Sequence, residues 1–221
     1  MSGAPAGGGP APSGDSPTLT AADAATFSRC IAVGGVAVFP ADTVYGLACE
    51  PDTDDAVERL YRLKGRRPDK PAAVMFFQLA LALEALPELG ANTRAAVEAL
   101  LPGPFTLLVP NPARRFPLAC GPAPETLGLR VPALPAPLAA LEGVTWPVLQ
   151  SSANRAGGPD ARTLTEVPEP IRAGADLVLD GGELPGMPST VVDLRPYEHA
   201  RDWRVVREGA ASRDDVRARL Q

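Results

Sequence analysis

Apolar residues in this chain come in short bursts, and that spacing limits its fold more tightly than any other feature. Val36-Ala37-Val38-Phe39-Pro40, Ala72 to Phe77 and Phe105-Thr106-Leu107-Leu108-Val109 are runs of strand length. Turn formers or charged residues bound them, as they bound buried strands. Further short strands are expected at 127–131, 147–150, 176–180, 190–194 and 204–207. Helical spacing fills the intervals. Thr20 with Asp23 reads as a capping box, Phe27 and Ile31 share one face, and Gly34-Gly35 stops that helix. A second helix is expected from Asp54 to Leu63 with Val57, Leu60 and Tyr61 inward, and others near 78–86, 92–101, 135–142 and 165–173. A last helix opens at Ser212 with Asp215 as its capping partner. Strands interleaved with helices imply a layered α/β fold with an open mixed sheet, because several connections are too short for crossovers.

A chain of 221 residues supports one well-buried core, and a split would leave two marginal ones. Residues 1–17, MSGAPAGGGPAPSGDSP, bury too little apolar surface to offset chain ordering, so a disordered tail precedes a domain at 18–221. The net charge of −5 and pI near 5.0 argue against a surface that grips nucleic acid by counterion release. Cys30, Cys49 and Cys120 are far apart and odd in number, which suits a reducing compartment. With His199 the lone histidine, no zinc site is expected. No apolar run approaches the roughly 20 residues of a membrane span, and the N-terminus lacks signal-peptide order, so a cytoplasmic location is expected. His199 lies in a charged stretch away from any nucleophile-like serine or cysteine, and covalent catalysis is not indicated. The chain also lacks the G-x-x-x-x-G-K-[ST] phosphate loop, a G-x-G-x-x-G fingerprint after a strand and a G-x-S-x-G elbow.

Four features carry candidate chemistry. Nineteen arginines stand against two lysines, and both lysines fall in Lys64-Gly65-Arg66-Arg67-Pro68-Asp69-Lys70-Pro71. That loop reads either as a phosphate clamp, with arginine forks and mobile lysine charges, or as a solvated loop whose cations suit a helix C-terminus. Pro40-Ala41-Asp42-Thr43-Val44-Tyr45-Gly46-Leu47 follows a buried strand. Polar groups there face a substrate outside the strand's carboxyl end, or form an ordinary turn in which Asp42 or Thr43 bonds nearby backbone. Gln150-Ser151-Ser152-Ala153-Asn154-Arg155-Ala156-Gly157-Gly158 has the small residues of an anion nest and equally those of a turn. Arg130, ending an alternating strand, and Arg207 suit a carboxylate and a nucleotide, or surface ion pairs.

Taken in order, P-A-D-T-V-Y-G-L, K-G-R-R-P-D-K-P, P-G-P-F-T, L-R-V-P, S-S-A-N, S-T-V-V-D and R-E-G resemble the successive signatures of the YrdC/Sua5 family, from about residue 20 to 210. The resemblance is to the short, single-domain type. It implies a twisted α/β sheet with a large concave cavity and L-threonylcarbamoyladenylate synthase activity. That nucleotidyltransferase reaction joins L-threonine, bicarbonate and ATP into threonylcarbamoyl-AMP and pyrophosphate, with magnesium accompanying ATP. The product would pass to a tRNA-modifying transferase. By match to the motifs, Thr43, Arg130 and Ser189 would meet threonine, with Arg130 on its carboxylate. Arg66 and Lys70 would hold the phosphates with Lys64 nearby, and Thr126, Ser152, Asn154 and Arg207 would hold the nucleotide. No residue is implied as a metal ligand. Ala41 and Met75 depart from the family pattern, where threonine and histidine are common. Two alternatives share this resemblance: a carbamoyl-adenylate enzyme with another acceptor, and a non-catalytic nucleotide- or RNA-binding module.

Overall fold

The protein is described from a computed structural model covering residues 17–221. The expected disordered tail, apart from Pro17, lies outside the described residues. Helix α1 (Ala21–Ala32) begins at the Thr20–Asp23 capping box, with Phe27 and Ile31 buried. The other α-helices are α2 (Asp54–Lys64), α3 (Leu79–Ala85), α4 (Ala91–Leu100), α5 (Pro117–Cys120), α6 (Glu169–Gly174), α7 (Tyr197–Ala200) and α8 (Arg213–Leu220). The strands are β1 (Ala37–Pro40), β2 (Tyr45–Cys49), β3 (Ala73–Met75), β4 (Phe105–Pro110), β5 (Thr126–Arg130), β6 (Val148–Ser152), β7 (Leu177–Val178), β8 (Thr190–Asp193) and β9 (Arg204–Arg207). They form one sheet in the order β7-β1-β2-β6-β3-β5-β4-β8-β9. The pairs β1/β7, β3/β5 and β4/β8 are parallel and the other five antiparallel. The expected open mixed sheet with flanking helices is therefore present.

Three local readings change. Tyr45-Gly46-Leu47 continues through Cys49 as β2, hairpinned to β1, rather than as part of a turn. Every residue of β2 is buried, so it lacks the polar alternation that marks a half-exposed strand. The stretch near 135–142 is a 3₁₀ helix, Ala136–Gly143. The one near 165–173 divides into a capped 3₁₀ turn, Leu164–Glu166, and α6, with Val167 extended between them. Pro168 accounts for the division: it has no N–H and drives the residue before it out of the helical region. Helices α5 and α7, one turn each, carry too little pattern to be expected.

The sheet separates two environments. In β4, Phe105, Leu107 and Val109 are fully buried while Thr106 and Leu108 point the other way and are only half-buried. On the β1 side, Phe27, Phe39 and Phe77 cluster with centroids 5.2 to 6.1 Å apart, Phe77 meeting the other two edge-on. Each such ring contributes about 1.5–3 kcal/mol through burial. At the other end the chain closes tightly on itself. A side chain at Gly209, the glycine of R-E-G, would place its Cβ 2.1 Å from the Pro188 carbonyl oxygen. Gly209→Ala is expected to cost about 1–3 kcal/mol through backbone displacement, measured as a lowered urea midpoint with an unchanged m-value.

Candidate functional site

Register places the site on a face of the sheet. Gly128 of β5 pairs with Leu108 and Ala73, and Ala73 pairs with Gln150. Paired residues point to the same side of a sheet, so this row forms a floor. Val191 of β8 pairs with Thr106 and Arg207 and extends it. A cavity of about 320 Å³ rests on these strands, rather than outside their carboxyl ends as the turn motifs suggested. Of the residues singled out by sequence, Arg66, Thr126, Arg130, Ser152, Ser189 and Arg207 line it.

Arg130 is 3 % exposed, as deeply placed as Lys64 but lining the cavity. Its Nη2 donates to Asp42 Oδ1 at 2.7 Å and to Thr43 Oγ1 at 3.4 Å, and its Nη1 to Gln150 Oε1 at 3.2 Å. Its Nε is buried without a partner. Asp42 also accepts from the Ala133 backbone. Both members of the ion pair are nearly sealed from water. Burial pushes the Asp42 carboxyl up, and the guanidinium pulls it back. Burial likewise lowers Arg130, while Asp42 opposes the shift; arginine nevertheless stays charged at any pH of interest. Asp42 therefore bonds a distant arginine as well as backbone, and Thr43 supports Arg130 from outside the residues lining the cavity.

Lys64 closes α2, where Gly65 takes the left-handed cap at φ 65°. Its Nζ donates to the Ser152 carbonyl at 2.6 Å, to Ser152 Oγ at 3.3 Å, to the Asn154 carbonyl at 3.1 Å and to Asn154 Oδ1. The lysine thus ties the helix end to the S-S-A-N turn rather than projecting into the cavity. Burial, reinforced by Arg66 and opposed by Asp160, pushes its ammonium down to about 8. Four oxygen acceptors keep it protonated at neutral pH, since each favours the charged form. Asn154 has both ends of its amide engaged, with Lys64 and with the Gly158 carbonyl. It too stands behind the cavity wall.

Arg66 reaches the cavity while donating to the carbonyls of Lys70 and Pro71 and lying over the Tyr61 ring. Lys70 is exposed and outside the lining. Arg207 bonds the Ser189 carbonyl at 2.7 Å, and Ser189 Oγ shares a hydrogen bond with Thr106 Oγ1 at 2.8 Å. Arg66 and Arg207 have no carboxylate partner among the described residues, and Asp160 is the single acid lining the cavity. Cations without acids beside them make the cavity attractive to anions.

Asp42, Thr106, Gln150 and Asp160 had no assigned role from sequence. Thr106 carried a usable signal, being the lone hydroxyl in an apolar strand; Asp160, in a loop of turn formers, carried none. Among the described residues no three His, Cys, Asp or Glu side chains converge on a metal position. Removing Asp42 would leave the buried guanidinium uncompensated. Asp42→Ala is therefore expected to lose about 3–5 kcal/mol in chemical denaturation, and Asp42→Asn less, because the amide oxygen still accepts from Arg130.

Comparison with known proteins gives one consistent answer. The Sua5/YciO/YrdC family model, described as Telomere recombination, matches residues 29–209. The chain is 34 % identical over 176 residues to threonylcarbamoyl-AMP synthase of Nitrosococcus oceani, covering 79 % of this chain and 94 % of that one. It is 35 % identical over 194 residues to threonylcarbamoyl-AMP synthase of Xanthomonas campestris pv. campestris, covering 84 % and 98 %. Among solved structures, P. abyssi Sua5 complexed with L-threonine superposes with a TM-score of 0.76 at 26 % identity. That match covers 91 % of this chain and 58 % of the Sua5 chain.

Proposed function

Because the chain belongs to the Sua5/YciO/YrdC family, we propose that it is a threonylcarbamoyl-AMP synthase. It forms threonylcarbamoyl-AMP and pyrophosphate from L-threonine, bicarbonate and ATP. The observation that carries this reading is the division of cations in one cavity. Arg130 lines the buried end, paired with Asp42, and Arg66 and Arg207 line the cavity without carboxylate partners. The first suits the carboxylate of an amino acid, and the others suit a nucleotide's phosphates.

These positions support the following roles. Arg130 takes the threonine carboxylate, with Thr43 and Asp42 holding the guanidinium. Ser189, fixed by Thr106 and Arg207, faces the amino-acid side. Arg66 lies against the phosphates, Lys70 approaches from the exposed loop, and Thr126, Ser152 and Arg207 line the nucleotide side. Lys64 and Asn154 act by shaping the Ser151–Asn154 turn. The threonine amine first takes up bicarbonate, releasing water. A carbamate oxygen then attacks the α-phosphorus, and the bond to pyrophosphate breaks. No protein nucleophile is required, so catalysis consists of alignment and stabilisation of charge on the phosphates. Magnesium would arrive on the ATP phosphates, since Asp160 is the one lining carboxylate that could meet it and the cavity offers no cage of acids. Bound there, it would neutralise phosphate charge. The product is a reactive mixed anhydride, which fits transfer to a tRNA-modifying enzyme in the cytoplasm. No described helix is long and apolar enough to cross a membrane.

Pyrophosphate release from ATP is expected to require L-threonine and bicarbonate together; release indifferent to threonine would overturn the assignment. Arg66→Ala should raise the KM for ATP about tenfold or more, consistent with loss of one charge-assisted hydrogen bond. Lys70→Ala should raise it less, because Lys70 is exposed. Lys64 must be protonated to serve its four acceptors, and its ammonium titrates near 8. The KM for ATP should therefore climb above about pH 8 in the native protein, and Lys64→Met should lack that inflection.

A further inference from the structure

Of the two neutral side chains on the Arg130 guanidinium, Thr43 and Gln150, Gln150 is the one that lines the cavity. It stands on the cavity floor in β6, 5 % exposed, and its Oε1 accepts from Arg130 Nη1 at 3.2 Å. A guanidinium has donors only, so the amide cannot be turned over: its oxygen faces Arg130, and its NH2 faces elsewhere. No described residue accepts from that NH2. Unlike the Arg130 Nε, it is not sealed away from the cavity. Gly46 makes room for it, since a Cβ there would stand 3.0 Å from Gln150 Nε2 and 2.8 Å from the Phe39 ring. The amide is thereby set in one orientation before any ligand arrives.

We infer that Gln150 is a specificity-determining residue for the amino-acid substrate, its free amide N–H joining Arg130 in holding the substrate carboxylate. This rests on the threonine reading given above. Asp42 already neutralises much of the Arg130 charge, so attraction alone discriminates weakly among small ligands at this end of the cavity. A neutral donor beside the guanidinium adds a directional hydrogen bond without adding charge. A buried donor left unmatched by the wrong ligand is a strong basis for rejection. The acceptor that fits two adjacent donors is a carboxylate.

The test is calorimetric titration of the native protein, Gln150→Glu and Gln150→Met with L-threonine, L-threoninol and Mg-ATP, alongside thermal melting. Threoninol lacks the carboxylate. Native protein is expected to prefer threonine over threoninol by about tenfold or more, in line with a hydrogen bond to a charged group. Gln150→Glu matches the native side chain in size but presents a carboxylate to Arg130. It should bind threonine at least about tenfold more weakly, with threoninol and Mg-ATP affinities and Tm retained. Gln150→Met removes the donor without adding charge and should fall between the two. A correctly folded Gln150→Glu or Gln150→Met that binds threonine as the native protein does would overturn the inference and leave the functional reading standing. Native protein that binds no threonine would overturn that reading, and this inference with it.

Discussion

The buried pair between Arg130 and Asp42 is the constraint on which the site's geometry depends. It joins the end of β5 to the β1–β2 hairpin turn, two segments 88 residues apart, and fixes a cation where none could stand alone. Taking two charges out of water costs several kcal/mol each, and close geometry with added hydrogen bonds must offset that. Thr43, Gln150 and the Ala133 backbone supply those bonds. Such a pair is a poor device for stability and a good one for placement, because its members have few other positions with tolerable energy.

Lys64 works differently. Its charge sits at the C-terminal end of α2, where the helix dipole favours it, and its hydrogen bonds go to the end of β6 and the turn that follows. Helix and turn are held at a fixed separation by that ammonium together with the Ala156 N–H, which donates to the Lys64 carbonyl. Arg66, two residues on, inherits its position from that tether and from the Tyr61 ring beneath it. The Arg66 edge of the cavity is thus assembled from a helix terminus and a short loop, and its floor from strands.

Much of this architecture was legible in the sequence because local rules and tertiary structure agree. The capping boxes at Thr20 and Ser212, the buried face of α2 and most of the short strands follow from periodicity and turn residues alone. β2 did not, since Gly46 interrupts an apolar run that follows directly on the polar Asp42-Thr43 turn. The functional side chains divided along a similar line. Motif residues such as Arg66, Arg130 and Arg207 could be singled out, but which of them line a common cavity depends on pairing register. That register decides that Thr106 joins them, while Lys70 and Asn154, outside the strands, stand apart. Gln150 could be seen as part of a motif, while its bond to Arg130 could not, because that arginine lies twenty residues away in sequence and two strands away in the sheet.

The floor of the cavity is written on alternate residues of strands whose other residues belong to the core. In β4, Phe105, Leu107 and Val109 answer to packing, and Thr106 and Leu108 to whatever occupies the cavity. Two histories of selection can therefore run along one strand with little interference. A descendant of this chain could alter the chemistry it accepts by exchanging the cavity-facing side chains, while the core-facing ones kept the molecule folded through every intermediate.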